Sequence, residues 1–353
     1  MPGVSESSNA DLHANDLLPL VWHTELEDYV VDLQWSADGE LLAAMPAEGC
    51  PVLFDPRGGV LSLLEPHPGG NGALAWHPSK PLLASIGHDR RLRVYHPPFE
   101  DAAWETALPG SSWSERCGWN ADGSLLAAIV GGNLIILDPR NGEILNRIPV
   151  GGTLADLCWN PARADELATA GPRGLHFWRA GEGAPTGHFP QSTAQLLSWS
   201  RDGRRIAIGH LGPDAHLLDR LTGKPLHIQG YQSKVKAFAW DSDNRWLATA
   251  GGENIVVWPC AGPEGPSGAA PVQLTGHFDK VESLDFAASQ PVLFSGGRDG
   301  LLLIWMPDRS TNAGIILRRR EAITRVRFCP EAAELAYATA SGEVGVCAVA
   351  QSG

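Results

Sequence analysis

Aromatic residues recur along this chain at a nearly fixed interval. Trp35, Trp76, Trp119, Trp159, Trp199 and Trp240 stand 41, 43, 40, 40 and 41 residues apart, and Phe286 and Phe328 extend the series by 46 and 42. Each closes a short apolar stretch, as in VVDLQW, GALAW, LADLCW and KAFAW, and each is followed by a turn and a second apolar run such as ELLAA, PLLAS or RWLATA. A third run ends near Phe54, Tyr95, Leu137, Trp178, Leu218, Trp258, Trp305 and Cys347, spaced 41, 42, 41, 40, 40, 47 and 42. Both series lengthen at the same place, before the seventh unit, so they report one repeating unit. A fixed period of this length restricts the chain to a repeat architecture, whereas 353 residues without it would suggest two or three separate domains.

The runs are five or six residues long, rich in Val, Ile, Leu and aromatics, and bounded by Gly, Pro, Asn and Asp, which is the pattern of strands. Asp38-Gly39, Asp122-Gly123 and Asp202-Gly203 mark tight turns between the first two strands of units one, three and five. A fourth strand follows in most units, for example GVLSLL and GEILNRI. Four short antiparallel strands in about 42 residues is the period of a propeller blade. The expected fold is all-β, a single eight-bladed β-propeller of four-stranded blades. Seven blades is the alternative if the eighth unit, which has no aromatic at Cys347, packs elsewhere.

The propeller is expected over residues 18–349, with a disordered acidic tail at 1–17 and a short tail at 350–353. LPLVWHTEL, residues 18–26, has no first strand of its own and is placed to supply the outer strand of the last blade. That would pair the two ends of the chain and remove a sheet edge. The Gly/Pro-rich stretch Cys260–Pro271 accounts for the long seventh interval and reads as a mobile loop. Small residues precede most first-strand anchors (Ala75, Gly118, Cys158, Ser198, Ala239), as close sheet packing requires. Gln34, Asp285 and Arg327 break this rule and are expected to line the central channel. Blades one, three and five share Phe54-Asp55, Leu137-Asp138 and Leu218-Asp219, so odd and even blades form two sub-types with a period near 82.

Charge and composition exclude several function classes. Lys+Arg number 27 against Asp+Glu 40, a net charge of −13, which lacks the basic face of a nucleic-acid binder. The run Arg318, Arg319, Arg320 and the cluster Arg90, Arg91, Arg93 read as solvated surface charge. No run of 18 apolar residues exists, and residues 1–17 do not read as a targeting signal, so no membrane association is expected. The six cysteines, Cys50, Cys117, Cys158, Cys260, Cys329 and Cys347, form no CxxC and read as reduced thiols of a cytoplasmic protein. The 12 histidines show no HxH or HExxH spacing. His88, His210 and Asp214 fall in second-to-third-strand loops on one face, a distributed set that could meet at a metal, but no metal or cofactor is expected. Low Lys (5) against Arg (22) suggests a GC-rich bacterial source.

These units resemble the WD-repeat β-propeller family. Unit seven carries the fullest match, GHFDKVESLDF followed by LFSGGRDGLLLIW. The resemblance implies a hydrogen-bonded network of His277, Ser295, Asp299 and Trp305: the Asp accepts from the imidazole, the imidazole from the hydroxyl, and the hydroxyl from the indole N–H. His67, Ser85, Asp89 and Tyr95 sit at the same offsets in unit two, with Pro66 where Gly would stand. Unit six has Gly230-Tyr231 in place of Gly-His, and unit four has Val150 at the His position. The His–Ser–Asp set superficially resembles a catalytic triad, but no nucleophile elbow accompanies the Ser, and the set reads as structural. Thr222-Gly223-Lys224 resembles a fragment of the docking motif of eight-bladed quinone-dependent dehydrogenases. It occurs once, with His227 where that motif has Trp, and reads as a plain turn.

The resemblance leaves function to the propeller mouth, since this fold hosts unrelated activities. Each first strand starts six residues before its anchor, at Tyr29, Gly70, Trp113, Thr153, Thr193, Lys234, Lys280 and Ala322, and in WD-repeat proteins this ring faces partners. Tyr29 and Trp113 are the expected binding aromatics, and Lys234 and Lys280 a local positive pole for an acidic partner. The expected function is a non-catalytic, monomeric protein-interaction scaffold that docks a protein or peptide on the mouth. The alternative is an enzyme or metal carrier with its site at the central channel.

Overall fold

The computed structural model describes residues 18–349 except 191–192, 263–264, 267, 269 and 289, and the backbone alone at position 115. The tails expected at 1–17 and 350–353 lie outside the described residues, as do parts of the Cys260–Pro271 stretch. The described residues form eight four-stranded antiparallel sheets, and the eighth blade settles the seven-or-eight alternative. Blade one runs Val30–Trp35, Leu42–Pro46, Val52–Phe54 and Val60–Leu63, and blades two to seven repeat this order. Blade eight runs Ile323–Cys329, Glu334–Thr339 and Glu343–Ala348, and its outer strand is Leu20–Glu25 from the other end of the chain. The first strand of every blade packs against the first strands of the blades on either side, and blade eight meets blade one, so the ring is closed.

Burial follows position in the blade. Second strands such as Leu42–Pro46, Leu83–Gly87 and Leu126–Val130 are buried at every residue, because a sheet lies against each of their faces. That is why they read as unbroken apolar runs. The outer strand Ala102–Ala107 alternates between half-buried and exposed residues, as a sheet edge facing solvent does. The Asp-Gly turns supply the positive φ that the tight hairpins need, +72° at Gly39 and Gly123.

The periodic tryptophans have a specific use. Each sends its indole N–H to the backbone carbonyl of the residue just before the anchor in the preceding blade: Trp76 to Gln34 at 3.0 Å, Trp119 to Ala75 at 2.9 Å, Trp159 to Gly118 at 2.8 Å, Trp199 to Cys158 at 3.1 Å and Trp240 to Ser198 at 3.3 Å. Phe286 and Phe328 cannot donate. Between blades seven and eight, Asp285 Oδ2 instead accepts the N–H of Phe328 at 2.9 Å, and Ser283 Oγ accepts that of Val326 at 3.1 Å. Asp285 therefore ties two blades together and is half-buried, whereas Gln34 and Arg327 do line the central channel. Asp32 and Asp156 stand at the register of Ser283 and make the corresponding link, to Leu74 N–H at 2.9 Å and Leu197 N–H at 2.8 Å.

Candidate partner-binding face and the networks beneath it

The loop that precedes each first strand meets the loop between the second and third strands of its own blade. The carbonyls of Tyr29, Gly70, Trp113, Thr193, Lys280 and Ala322 accept the backbone N–H of Ala47, His88, Gly131, Leu211, Arg298 and Ala340. Both loop sets therefore lie on one face of the ring, and the spacing of six residues before the anchor marks a true structural register. Tyr29, Lys234 and Lys280 are exposed on this face. Trp113 is 66% exposed while its ring stacks on His88 of blade two, centroids 5.0 Å apart and planes 18° apart. Beside it is a cavity of about 350 Å³ lined by Ser112, Trp113, Ile129, Gly131 and Leu154.

Two further apolar residues stand on the same face and escape the sequence reading. Phe278 is 79% exposed and Leu211 61% exposed. Phe278 directly follows the network residue His277, and its N–H is held by Asp299 Oδ2 at 2.8 Å. An apolar residue directly after the network His was the signal available in the sequence. Looking only six residues before each anchor passed over it.

The central channel contains a cavity of about 320 Å³. Among its charges Lys236 pairs with Glu282 at 2.6 Å and Arg116 with Asp156 at 3.4 Å. Burial pushes Asp156 up, and the Arg116 guanidinium and two backbone N–H groups pull it back. No histidine is among the described residues lining this cavity, so the channel does not bring together the carboxylate–histidine set that the metal-carrier alternative requires.

Beneath the face, blade seven holds the four-membered chain. His277 Nδ1 lies 3.0 Å from Asp299, His277 Nε2 2.7 Å from Ser295 Oγ, and Trp305 Nε1 donates to Ser295 Oγ at 2.8 Å. Burial pushes Asp299 up, but hydrogen bonds from His277 and from the backbone of Phe278 and Leu301 bring it below the ordinary carboxylate value. Blade two differs. His67 reaches Asp89 and Ser85 at 2.8 Å each, but the buried phenol of Tyr95 has no hydrogen bond of ordinary geometry among the described residues. It lies close enough to Ser85 to feel it, yet burial pushes its pKa up to about 12. The fourth member is Arg93, only 2% exposed on its side chain, whose Nη1 lies 3.0 Å from His67 Nδ1 and which pairs with Glu105 at 2.7 Å and Asp89 at 3.3 Å. Arg93 is thus not surface charge. A buried guanidinium needs such carboxylates.

Other blades keep parts of the chain. In blade six Tyr231 and Trp258 converge on Thr249 Oγ1 at 2.6 and 3.2 Å, and in blade four Trp178 donates to Thr169 Oγ1 at 2.8 Å. In blade eight Arg319 pairs with Glu343 at 2.8 Å and donates to Tyr337 Oη at 2.7 Å, so the middle of the Arg318–Arg320 run is part of a half-buried network. Thr222-Gly223-Lys224 forms a turn held by Asp219 Oδ1, which accepts the N–H of Leu221 and Thr222.

Blade five has the largest departure. In blades two and seven a glycine faces the network His: a Cβ at Gly87 would fall 2.3 Å from His67 Cβ, and one at Gly297 2.5 Å from His277 Nδ1. His210 stands at that register in blade five, four residues after Ile206 as Gly87 follows Leu83. Its Nε2 lies 2.8 Å from Nδ1 of His216, whose ring stacks on His227 at 4.4 Å. Asp214 Oδ2 lies 3.0 Å from His227 Nε2. His88 belongs to blade two, stacked on Trp113, and does not join His210 and Asp214.

The WD domain, G-beta repeat family matches residues 223–259 and 270–306, each spanning the outer strand of one blade and the first three strands of the next, blades six and seven. WD repeat-containing protein slp1 of Schizosaccharomyces pombe is 27% identical over 251 residues, 67% of this chain and 50% of that protein. Cell division cycle 20.1, cofactor of APC complex, of Arabidopsis thaliana is 28% identical over 195 residues, 51% of this chain and 40% of that protein. THO complex subunit 3 of Arabidopsis thaliana is 26% identical over 156 residues, 41% of this chain and 50% of that protein. The chain spans about half the length of the curated relatives it matches or less. Together with the eight blades these matches support a WD-repeat propeller. The three relatives are eukaryotic and lend nothing to the bacterial source suggested by the Arg-to-Lys balance.

Proposed function

We propose that this WD-repeat propeller is a non-catalytic interaction platform that docks a protein or peptide partner on the mouth. The observation that carries the reading is the single face on which Trp113, Phe278, Leu211 and Tyr29 stand exposed around the channel, with Lys234 and Lys280 beside them. Exposed aromatics ringed by charge are what binding hot spots are made from. The lysines suit a partner with an apolar anchor and an acidic flank. The names of the relatives, a complex cofactor and a complex subunit, support a role within protein assemblies. We place the protein in the cytoplasm, a reading supported by its six cysteines, all of which are free thiols.

The test is affinity capture from the native cell with three variants. Trp113→Ala, Phe278→Ser and Lys280→Glu should each deplete the same captured proteins while melting temperature holds. Leu221→Ser, in the third-to-fourth-strand turn of blade five, should leave capture intact. Capture that survives all three mouth substitutions would rule out the mouth as the docking face.

A further inference from the structure

The geometry points to a divalent transition-metal site in blade five, with His210, Asp214 and His216 as ligands and zinc as the ion that suits them best. One ligand atom from each of the three lies within 4.8 Å of the others. Two neutral imidazoles and one carboxylate are a donor set that zinc takes with an open fourth position for water. His210 Nε2 and His216 Nδ1 already face each other at 2.8 Å across one shared proton. An ion bonded to both at about 2.0–2.1 Å would hold them about 3.3 Å apart, an opening of roughly half an ångström.

The third ligand is oriented for the role. The Gln229 side-chain amide donates to Nδ1 of His227 at 2.8 Å, so the proton of that ring sits on Nε2 and is donated to Asp214 Oδ2 at 3.0 Å. This leaves Asp214 Oδ1 for an ion, and it is the kind of outer hydrogen bond that steadies a ligating carboxylate. His210 and His216 are buried, and Phe189 of blade four packs edge-on to His216 at 5.7 Å and closes that side. Asp214 is only partly buried and opens the site toward the mouth, next to Leu211.

Blade four supplies a built-in comparison. His176 and His188 stack at 4.3 Å at the same cross-strand register as His216 and His227. There His188 Nε2 is 2.8 Å from the carbonyl of Arg173, and no carboxylate joins the described pair in a three-ligand group. Stacked histidines alone therefore do not make the site.

The experiment is calorimetric titration of the full, tag-free chain with zinc chloride at neutral pH, with metal content measured after dialysis. The wild-type chain should bind about one equivalent, and Asp214→Asn and His216→Gln should each weaken binding at least about tenfold. Asp214→Asn, on a partly exposed loop, should keep the wild-type circular dichroism and melting temperature, which separates lost binding from lost fold. The double variant His176→Gln/His188→Gln should bind as the wild type does. The site is overturned if the wild-type chain takes up no zinc, if Asp214→Asn and His216→Gln bind as tightly as wild type, or if the blade-four variant loses the ion instead.

Discussion

The indole N–H of Trp35 donates to the carbonyl oxygen of Arg327 at 3.2 Å, across 292 residues of chain. It is the same link that joins the other Trp-anchored blades to their predecessors, here made between blade one and blade eight. Together with the pairing of Leu20–Glu25 on Glu343–Ala348, it closes the ring. Trp35→Phe should keep most of the packing and lose only the hydrogen bond, at about 1 kcal/mol. Trp35→Ala should cost roughly 3 kcal/mol through the cavity as well. Urea unfolding measures both, and a Trp35→Phe variant as stable as the wild type would show that the bond contributes nothing.

His277→Ala leaves Asp299 and Ser295 without their shared partner in a buried site. Stability should fall by about 1–3 kcal/mol. Folded His277→Ala protein should still capture its partner at low temperature. Lost capture with an unchanged melting temperature would contradict a structural role for the network.

Tyr95→Phe removes a buried hydroxyl that lacks a hydrogen bond. It should raise stability, by up to about 1 kcal/mol. The matching change in blade seven, Trp305→Phe, should be destabilising because the Trp305 indole does donate to Ser295. Thermal melts of the pair should move in opposite directions.

Gly87→Ala places a methyl 2.3 Å from His67 Cβ. Neither the strand nor the imidazole held by Asp89 and Ser85 can easily yield, so about 1–3 kcal/mol should be lost. Gly183→Ala, where nothing lies within 4 Å, is the control and should be near neutral.

The pH dependence has a definite sign at His67. Burial is the main cause holding its pKa below the ordinary histidine value, with Arg93 adding to the depression and Asp89 and Glu105 opposing it. As pH falls below about 6.5 the unfolded chain takes up a proton that the folded chain resists. This contribution to stability is therefore complete above that pH and shrinks as pH drops toward the folded value. His67→Gln should flatten the stability profile between pH 6.5 and 5, relative to wild type. An unchanged slope would assign the acid sensitivity to other groups.

The repeat, the strands and the blade count were legible in the chain because each blade is a local hairpin stack, and its register maps directly onto residue spacing. The same holds for His277, Ser295, Asp299 and Trp305, whose offsets are set within one blade, and for the positions of Tyr29, Trp113, Lys234 and Lys280. Contacts that depend on what a neighbouring strand or blade leaves open were not legible. Nothing in the spacing says that the Tyr95 hydroxyl goes without an ordinary hydrogen bond while Arg93 is buried against His67, or that Phe278 stays exposed beside a buried histidine. His210, Asp214 and His216 form no motif. They meet because a hairpin sets one strand against the next, and His210 stands where blades two and seven have glycine. The link from Trp35 to Arg327 likewise exists only once the ring has closed, since no local rule brings the two ends of a chain together.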